Sequence, residues 1–268
     1  MISAPSAIGG EASDGSATLM SSARKVPPIT QVRPGPEAAY GRGQLMLAGG
    51  FLVAGGACTL AALALPPLWS IVTAGTTQEV RLIGLHRTIW QLGLWLWALS
   101  AGLTMPGMLA LASALSNPAA GTRARSTGTD PALRAAAGLF AAGSVLWLAN
   151  IAFGASVAVS VANTVRGGGT IPGWFQPVQQ WADALWQIGA PMLGLSLVLY
   201  GLIIRTGTAA LPSWAGWLSV AAGAIVICFT PLGGTPPFLI YLLATLPLGA
   251  AALFRARTLP KQADRTVR

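Results

Sequence analysis

The chain has 268 residues, of which 53% are hydrophobic and 9% are charged, and its formal net charge is +9. A soluble domain carries roughly 25% charged residues, so the composition indicates a protein whose surface mostly faces lipid. The positive charge does not indicate nucleic-acid binding, because the basic residues flank apolar segments and form no patch interleaved with aromatic side chains. The expected partner is therefore the lipid bilayer and not a nucleic acid.

The apolar segments predict an all-α, polytopic membrane bundle of six transmembrane helices within residues 43–255. Residues 1–42 are rich in Ser, Ala, Gly and Pro, which predicts a disordered cytoplasmic tail without the apolar core of a signal peptide. Residues 256–268 are expected to form a basic cytoplasmic tail. The predicted spans are 45–65, 87–115, 133–165, 181–204, 214–229 and 238–254.

A polar connection, residues 70–83, joins the first two predicted spans. Thr76 or Thr77 is expected to cap the helix that follows, because their hydroxyls can accept from the first free backbone N–H groups. Glu79 then falls in the first turn, where a negative charge interacts favourably with the helix dipole.

Basic residues predict the orientation in the membrane. With six spans both chain ends lie on one side, and thirteen of the sixteen Lys and Arg residues fall there: Arg24, Lys25, Arg33, Arg42, Arg123, Arg125, Arg134, Arg205, Arg255, Arg257, Lys261, Arg265 and Arg268. Cytoplasmic segments carry this excess, so we expect both termini to be cytoplasmic. The end that carries Arg81, Arg87 and Arg166 is called the outer end below, and the opposite end the inner end. Aromatic residues favour the membrane interface, and those expected at the outer one are Trp69, Trp90, Trp174, Trp181 and Trp186.

Two Trp-Gln pairs, Trp90-Gln91 and Trp186-Gln187, stand 96 residues apart near the starts of the second and fourth spans. The pairs favour a repeated helix-pair unit: spans one and two, then spans three and four, with spans five and six as a diverged third pair. Parallel repeats of this kind occur in transporters. Chance similarity between two apolar helices is the alternative.

The same alignment sets Arg87 opposite Asp183, each four residues before its glutamine. Residues i and i+4 share a helix face, so each helix has a polar stripe at its outer end. An ionisable side chain in a span usually faces the bundle interior and a partner, which favours an Arg87–Asp183 pair. Alternatively, both charges are solvated at the level of the lipid headgroups and remain unpaired.

Polar residues of three predicted spans form a candidate ligand-binding set at the outer end. The set is His86, Arg87, Gln91, Asn163, Asp183 and Gln187, and Ser156 and Ser160 share the helix face of Asn163. These side chains either line an outward-facing pocket or make ordinary interhelical hydrogen bonds, worth about 0.6 kcal/mol each in membranes. Asn150, near mid-membrane, is expected to make a structural hydrogen bond.

The sequence contains no motif that indicates catalysis, a metal or a cofactor. His86 is the only histidine, so it cannot supply both axial ligands of a membrane haem or build a His-rich metal site. We expect it to be solvated or hydrogen-bonded, with proton sensing beside Arg87 and Asp183 as the alternative. Cys58 and Cys228 lie in apolar runs and are expected to be packing residues. Nucleophile, phosphate-loop and metalloprotease motifs are absent from the sequence, which disfavours an enzyme.

The segment Leu211-Pro212-Ser213-Trp214-Ala215-Gly216-Trp217-Leu218 precedes a glycine-bearing apolar span. It resembles a Leu-Pro-x-Trp-x-Gly-Trp turn that opens the fifth helix of certain six-helix integral membrane proteins of bacteria, especially actinobacteria. No activity is established for those families, so the resemblance implies only a fold and a location in a bacterial plasma membrane. It also implies close helix packing at Gly216 and anchoring of Trp214 and Trp217 at the inner interface.

Two classes of function remain open from the sequence. The first is a non-enzymatic protein with a structural, interaction or small-ligand-sensing role, which would use the polar outer end to meet a small ligand or a membrane-protein partner. The alternative is a small transporter or permease built from helix-pair repeats. A transporter needs polar residues at mid-membrane on several helices, and in the sequence only Asn150 clearly meets that condition.

Overall fold

The computed structural model describes residues 36–116, 129–207, 211–232 and 238–259, and within these ranges it contains helices and no β-strand. The helices are α1 (Pro36–Leu63), α2 (Pro66–Val72), α3 (Thr76–Leu85), α4 (Arg87–Ser116), α5 (Thr129–Phe153), α6 (Val159–Arg166), α7 (Phe175–Gly207), α8 (Ser213–Phe229) and α9 (Phe238–Thr258). A π-helical turn, Gly154–Ala158, joins α5 to α6, and a 3-10 turn, Thr230–Leu232, follows α8.

Five helical segments of the described ranges are long and apolar enough to cross a membrane: Gly41–Leu63, Arg87–Ser116, Pro131–Arg166, Phe175–Thr206 and Ser213–Leu232. They correspond to the first five predicted spans. The sixth predicted span corresponds to α9, a 21-residue helix that is not one of the five segments long and apolar enough to cross a membrane. Helix α1 begins at Pro36, inside the range expected to be a tail. Residues 1–35, the loop with Arg123 and Arg125, and the C-terminal residues 260–268 lie outside the described residues.

The long helices form a closed ring in chain order: α1, α4, α5–α6, α7, α8 and α9, which returns to α1. Their packing is uneven. Helix α1 packs extensively along α4 and α9, and α7 packs extensively along α5 and α8, whereas the α4–α5 and α8–α9 interfaces are thinner. The ring therefore consists of two helix triplets, α9–α1–α4 and α5–α7–α8, joined along two thin seams.

Glycines create the close interfaces inside each triplet, because a missing side chain lets two helix backbones approach. A Cβ added at Gly49 would lie 2.8 Å from the carbonyl oxygen of Gly249, on α9. A Cβ at Gly143 would lie 2.8 Å from the carbonyl oxygen of Gly189, on α7. The close packing implied for Gly216 is present, since a Cβ there would lie 2.8 Å from the carbonyl oxygen of Gly201.

Buried hydroxyl groups add hydrogen bonds between helices, as expected where no water is available to polar groups. The hydroxyls of Thr59 and Ser100 lie 2.7 Å apart between α1 and α4. Ser196 donates to the carbonyl of Ala136 at 2.7 Å, between α7 and α5. Tyr200 donates to the carbonyl of Met108 at 3.0 Å and so links the two triplets in the inner half of the bundle.

The short helices α2 and α3 cover part of the outer end. Proline lacks a backbone N–H and suits the first turn of a helix, and Pro66 accordingly begins α2, after α1 has ended at Leu63. The residue that caps α3 is Gly75, with no side-chain cap hydrogen bond, so the predicted Thr76 or Thr77 cap is wrong. Glu79 does lie in the first turn of α3. Helix α3 packs against α6, with Gly84 facing the carbonyl of Ala162.

Tryptophans with exposed rings are found at both ends of the bundle. At the outer end Trp69, Trp174 and Trp181 are exposed, as expected for interfacial anchors. Trp214 and Trp217 are exposed at the inner end, where the guanidinium carbon of Arg205 lies 3.5 Å from the ring centroid of Trp217. The contact is a cation–π interaction at the end of α7.

Candidate functional site

A partly open cavity of about 630 Å³ lies at the outer end, between the two triplets. Its walls come from the α2–α3 connection, from α3, α4, α5, the π-helical turn and α7, and from Thr230. Its volume is within the ~300–1,000 Å³ range of small-molecule sites. On α4 the cavity reaches Trp97, ten residues after the helix start at Arg87, which is about 15 Å at 1.5 Å per residue. That depth is about half of a ~30 Å hydrocarbon core.

Four tryptophans form an aromatic wall: Trp90, Trp97, Trp147 and Trp186. The ring centroids of Trp97 and Trp147 are 6.0 Å apart, and those of Trp147 and Trp186 are 4.6 Å apart. The row crosses the seam from α4 through α5 to α7. Trp90 and Trp186 were expected at the lipid interface; they line the cavity instead, with Trp90 only 5% exposed.

The π-helical turn supplies a hydrogen-bond acceptor to this wall. Trp90 donates from Nε1 to the carbonyl of Gly154 at 3.1 Å. A π-helical turn inserts a residue into the regular helix and disturbs its hydrogen-bond ladder, and such turns are frequent at functional sites. Gly154 also has no side chain, and an added Cβ would lie 3.4 Å from the Trp90 ring and from Leu94. The turn thus holds the Trp90 ring against α5 across the seam.

Two carboxyl groups, Glu79 and Asp183, line the same cavity. Gln179 donates from Nε2 to Oε2 of Glu79 at 2.8 Å, which ties α3 to α7. Asp183 lies one turn further along α7, on the face of Gln179. Burial, and to a smaller extent the charge of Asp183, raise the pKa of Glu79 from 4.5 to about 7, although the hydrogen bond from Gln179 opposes the shift. Glu79 therefore changes its charge near neutral pH.

The raised pKa of Glu79 predicts a pH-dependent stability. Between pH 4.5 and about 7 the folded state binds more protons than the unfolded state, so the free energy of unfolding falls as the pH rises. We expect the protein to be less stable at about pH 8 than at about pH 5, by at most about 3 kcal/mol. Glu79→Gln should lose most of this dependence, and Arg81→Gln, an exposed change on the same helix, should keep it. Unfolding in detergent over a pH series measures both, and an unchanged slope in Glu79→Gln would exclude Glu79 as the cause.

The structure gives Arg87 a different partner from the predicted Asp183. Arg87 donates from Nη1 to Oδ1 of Asn163 at 3.5 Å, and both side chains are exposed. The reason is the ring order: α5–α6 lies between α4 and α7, so the Arg87 side chain meets α6. Asp183 lines the cavity near Glu79 instead.

Of the six residues predicted as a ligand-binding set, the cavity brings together Asp183 and Gln187. His86 and Gln91 are half-buried and are not in the cavity wall. Ser156 donates to the carbonyl of Ala152 in its own helix at 2.6 Å. Ser156, Ser160 and Asn163 are exposed and also lie outside the wall.

Glu79, Gln179 and the aromatic wall were not among the residues predicted for the candidate site. One feature of the sequence did single out Glu79. The whole chain has only seven acidic residues, so each of them is a candidate for a specific role. The structural hydrogen bond expected for Asn150 is confirmed, because its Nδ2 donates to the carbonyl of Ala182 at 2.9 Å. Asn150 also lines the cavity, so the same residue joins two helices and forms part of the candidate site.

No family model, curated protein or solved structure matches the chain. Among the residues that the structure describes, no three His, Cys, Asp or Glu side chains come together as a metal site would require. Cys58 is half-buried on α1, Cys228 is exposed on α8, and both are free thiols. The cavity is therefore the feature on which a functional argument can be based.

Proposed function

We propose that the chain is a six-span protein of a bacterial plasma membrane, with both termini in the cytoplasm and the cavity open to the outside. Helix α9 completes the ring between α8 and α1, and its 21 residues suit a bilayer core that ~20 residues cross. The positive-inside rule supports the orientation. The described basic residues at the inner end are Arg42, Arg134, Arg205, Arg255 and Arg257.

The function that the geometry supports best is the binding of a small organic ligand at the outer end, in a sensing or interaction role without catalysis. The observation that carries this proposal is the cavity of about 630 Å³ with its aromatic wall and two carboxyl groups. Protein interiors are normally packed without large voids. Asp183 lies in one of the segments that can cross a membrane, where ionisable groups are expensive and usually functional. A cavity that combines both features is best explained by a ligand.

A repeated helix pair has support from a second match at the same spacing. Ser100 and Ser196 are 96 residues apart, like the two Trp-Gln pairs. Each makes a buried hydrogen bond to the long helix that precedes its own, Ser100 with Thr59 of α1 and Ser196 with Ala136 of α5. The matching serine positions favour a common origin of α4 and α7, although the two serines bond to different kinds of group.

Transport is the second candidate function, and the two-triplet architecture favours it. The cavity lies on the α4–α5 seam, and the Tyr200–Met108 hydrogen bond joins the triplets further towards the inner end. Rocking of one triplet against the other would open the inner half once this bond broke, as in alternating access. Uptake of a bound probe into reconstituted vesicles distinguishes transport from binding alone.

Cysteine labelling tests whether the cavity is open to water. In a Cys58→Ala, Cys228→Ala background, Gln187→Cys places a thiol in the cavity wall, and Ile188→Cys places one on a helix face that is 57% exposed outside the wall. A membrane-impermeant thiol reagent reacts with the thiolate, which forms in water and hardly at all in lipid. We therefore expect Gln187→Cys to react about tenfold faster or more than Ile188→Cys. Equal, slow rates at both positions would contradict the proposed water-filled cavity.

A further inference from the structure

We propose that the ligand of the cavity is an organic cation, a protonated amine attached to an apolar or aromatic group. This inference rests on the proposed function, because it names the ligand class of the same cavity. Three independent properties of the wall support it: its charge, its unused hydrogen-bonding groups, and its aromatic surface.

The only charges that the described side chains of the wall can carry are negative. Glu79 and Asp183 contribute carboxyl groups, and no Lys, Arg or His is present among the described residues that line the cavity. The basic residues of the outer end, Arg81, Arg87 and Arg166, are exposed and lie outside the wall. An anionic ligand would face two carboxyl groups without compensation, whereas a cation would be attracted to both.

Several hydrogen-bond donors of the wall are engaged within the protein, while its carboxyl oxygens and one buried amide oxygen are available as acceptors. Asn150 donates to Ala182, Gln179 donates to Glu79, and Trp90 donates to Gly154. The Oε1 atom of Gln179 is buried and accepts no hydrogen bond from the described residues. A buried acceptor without a donor costs free energy. A ligand with N–H groups would satisfy these acceptors, and a protonated amine provides such groups.

The aromatic wall and the size of the cavity indicate that the cation is organic. Indole rings attract cations more strongly than other aromatic side chains do, and four of them line the cavity. The volume of about 630 Å³ is that of a site for an organic molecule rather than a bare ion. The described residues also lack a cluster of three metal-type ligands. The apolar part of the ligand would then contact the Trp97, Trp147 and Trp186 rings.

A charge series of one aromatic ligand tests this assignment on the full-length protein in detergent micelles. The probes are benzylamine, which is protonated at neutral pH, benzyl alcohol, which is neutral, and benzoate, which is anionic. Binding is followed by intrinsic tryptophan fluorescence and by protection of Gln187→Cys from the thiol reagent. We expect benzylamine to bind roughly tenfold tighter than benzyl alcohol, with benzoate the weakest.

Two charge-neutralising variants locate the binding. Asp183→Asn should lower the affinity for benzylamine roughly tenfold and leave the affinity for benzyl alcohol unchanged, because only the charged ligand loses an electrostatic partner. At about pH 8, where Glu79 is ionised, Glu79→Gln should have the same effect, and it serves if Asp183→Asn does not fold. Arg166→Gln removes a charge at the same end but outside the wall, so it should not lower the affinity for benzylamine.

The possible failures are distinguishable. Benzyl alcohol or benzoate binding as tightly as benzylamine, with protection of Gln187→Cys, would overturn the cation assignment and leave the proposed binding cavity in place. Benzylamine binding that is unaffected by both carboxyl variants would also overturn the assignment. No binding by any probe would overturn the cation assignment, and if Gln187→Cys were not labelled either, the proposed function itself would be overturned.

Discussion

Trp147→Ala should lower the free energy of unfolding by up to about 3 kcal/mol, the packing part of the ~3–5 kcal/mol that truncating a buried tryptophan costs in a water-soluble protein. Trp147 is only 7% exposed, and its ring contacts Trp97 on α4 and Trp186 on α7. Within a bilayer the loss is mainly of van der Waals packing, because lipid tails are as apolar as the side chain. The thin α4–α5 seam depends on such large side chains, so the truncation should weaken the packing of α4 against α5.

Trp95→Ala is the matched control for Trp147→Ala. Trp95 lies on α4 with 71% of its surface exposed, so it contacts lipid in the folded state and would do so equally after the triplets separated. We expect a change within about 0.5 kcal/mol, as for surface substitutions in general. Reversible unfolding in mixed micelles compares the two variants, and equal destabilisation would show that the aromatic wall does not hold the seam.

Gly201→Ala should destabilise the bundle by about 1–3 kcal/mol, the usual cost of overpacking. An added Cβ would lie 2.5 Å from the carbonyl oxygen of Gly216 and 2.8 Å from the backbone nitrogen of Val220. Because these are backbone atoms, they cannot rotate away, and α7 and α8 would have to move apart. The effect should appear as weaker association of α8 with the rest of its triplet.

Gly102→Ala provides the control for Gly201→Ala. Gly102 lies in α4, is exposed, and has no atom within 4 Å of an added Cβ. Alanine is the better helix former by about 1 kcal/mol, so this variant should be neutral or slightly more stable. Thermal unfolding in detergent measures both changes, and a Gly201→Ala protein as stable as Gly102→Ala would contradict the close α7–α8 packing.

The sequence predicted the helices better than their ends. Apolar runs located five segments that can cross a membrane, because the length of such a run is a one-dimensional property of the chain. The ends depended on local geometry. Gly75 rather than Thr76 or Thr77 caps α3, since two hydroxyl residues in a row do not determine where the first helical turn begins.

The site was less predictable, because it depends on which way each helix face points. The π-helical turn Gly154–Ala158 changes the helix register, and Ser156, Ser160 and Asn163 lie on an exposed face. The bond between Glu79 and Gln179 joins residues 100 positions apart in sequence, and no local pattern indicates it. Asp183 and Gln187 were found because residues at i and i+4 share a face whatever their neighbours are.

The central claim is a cavity that opens on the side of the membrane opposite to the chain ends. The most direct test is side-resolved labelling in intact cells, in the Cys58→Ala, Cys228→Ala background, with an impermeant thiol reagent added outside. Gln187→Cys lines the cavity, and Thr258→Cys is an exposed position in the last turn of α9, at the inner end. We expect Gln187→Cys to be labelled in intact cells and Thr258→Cys only after permeabilisation. Labelling of both from outside, or of Thr258→Cys alone, would contradict it.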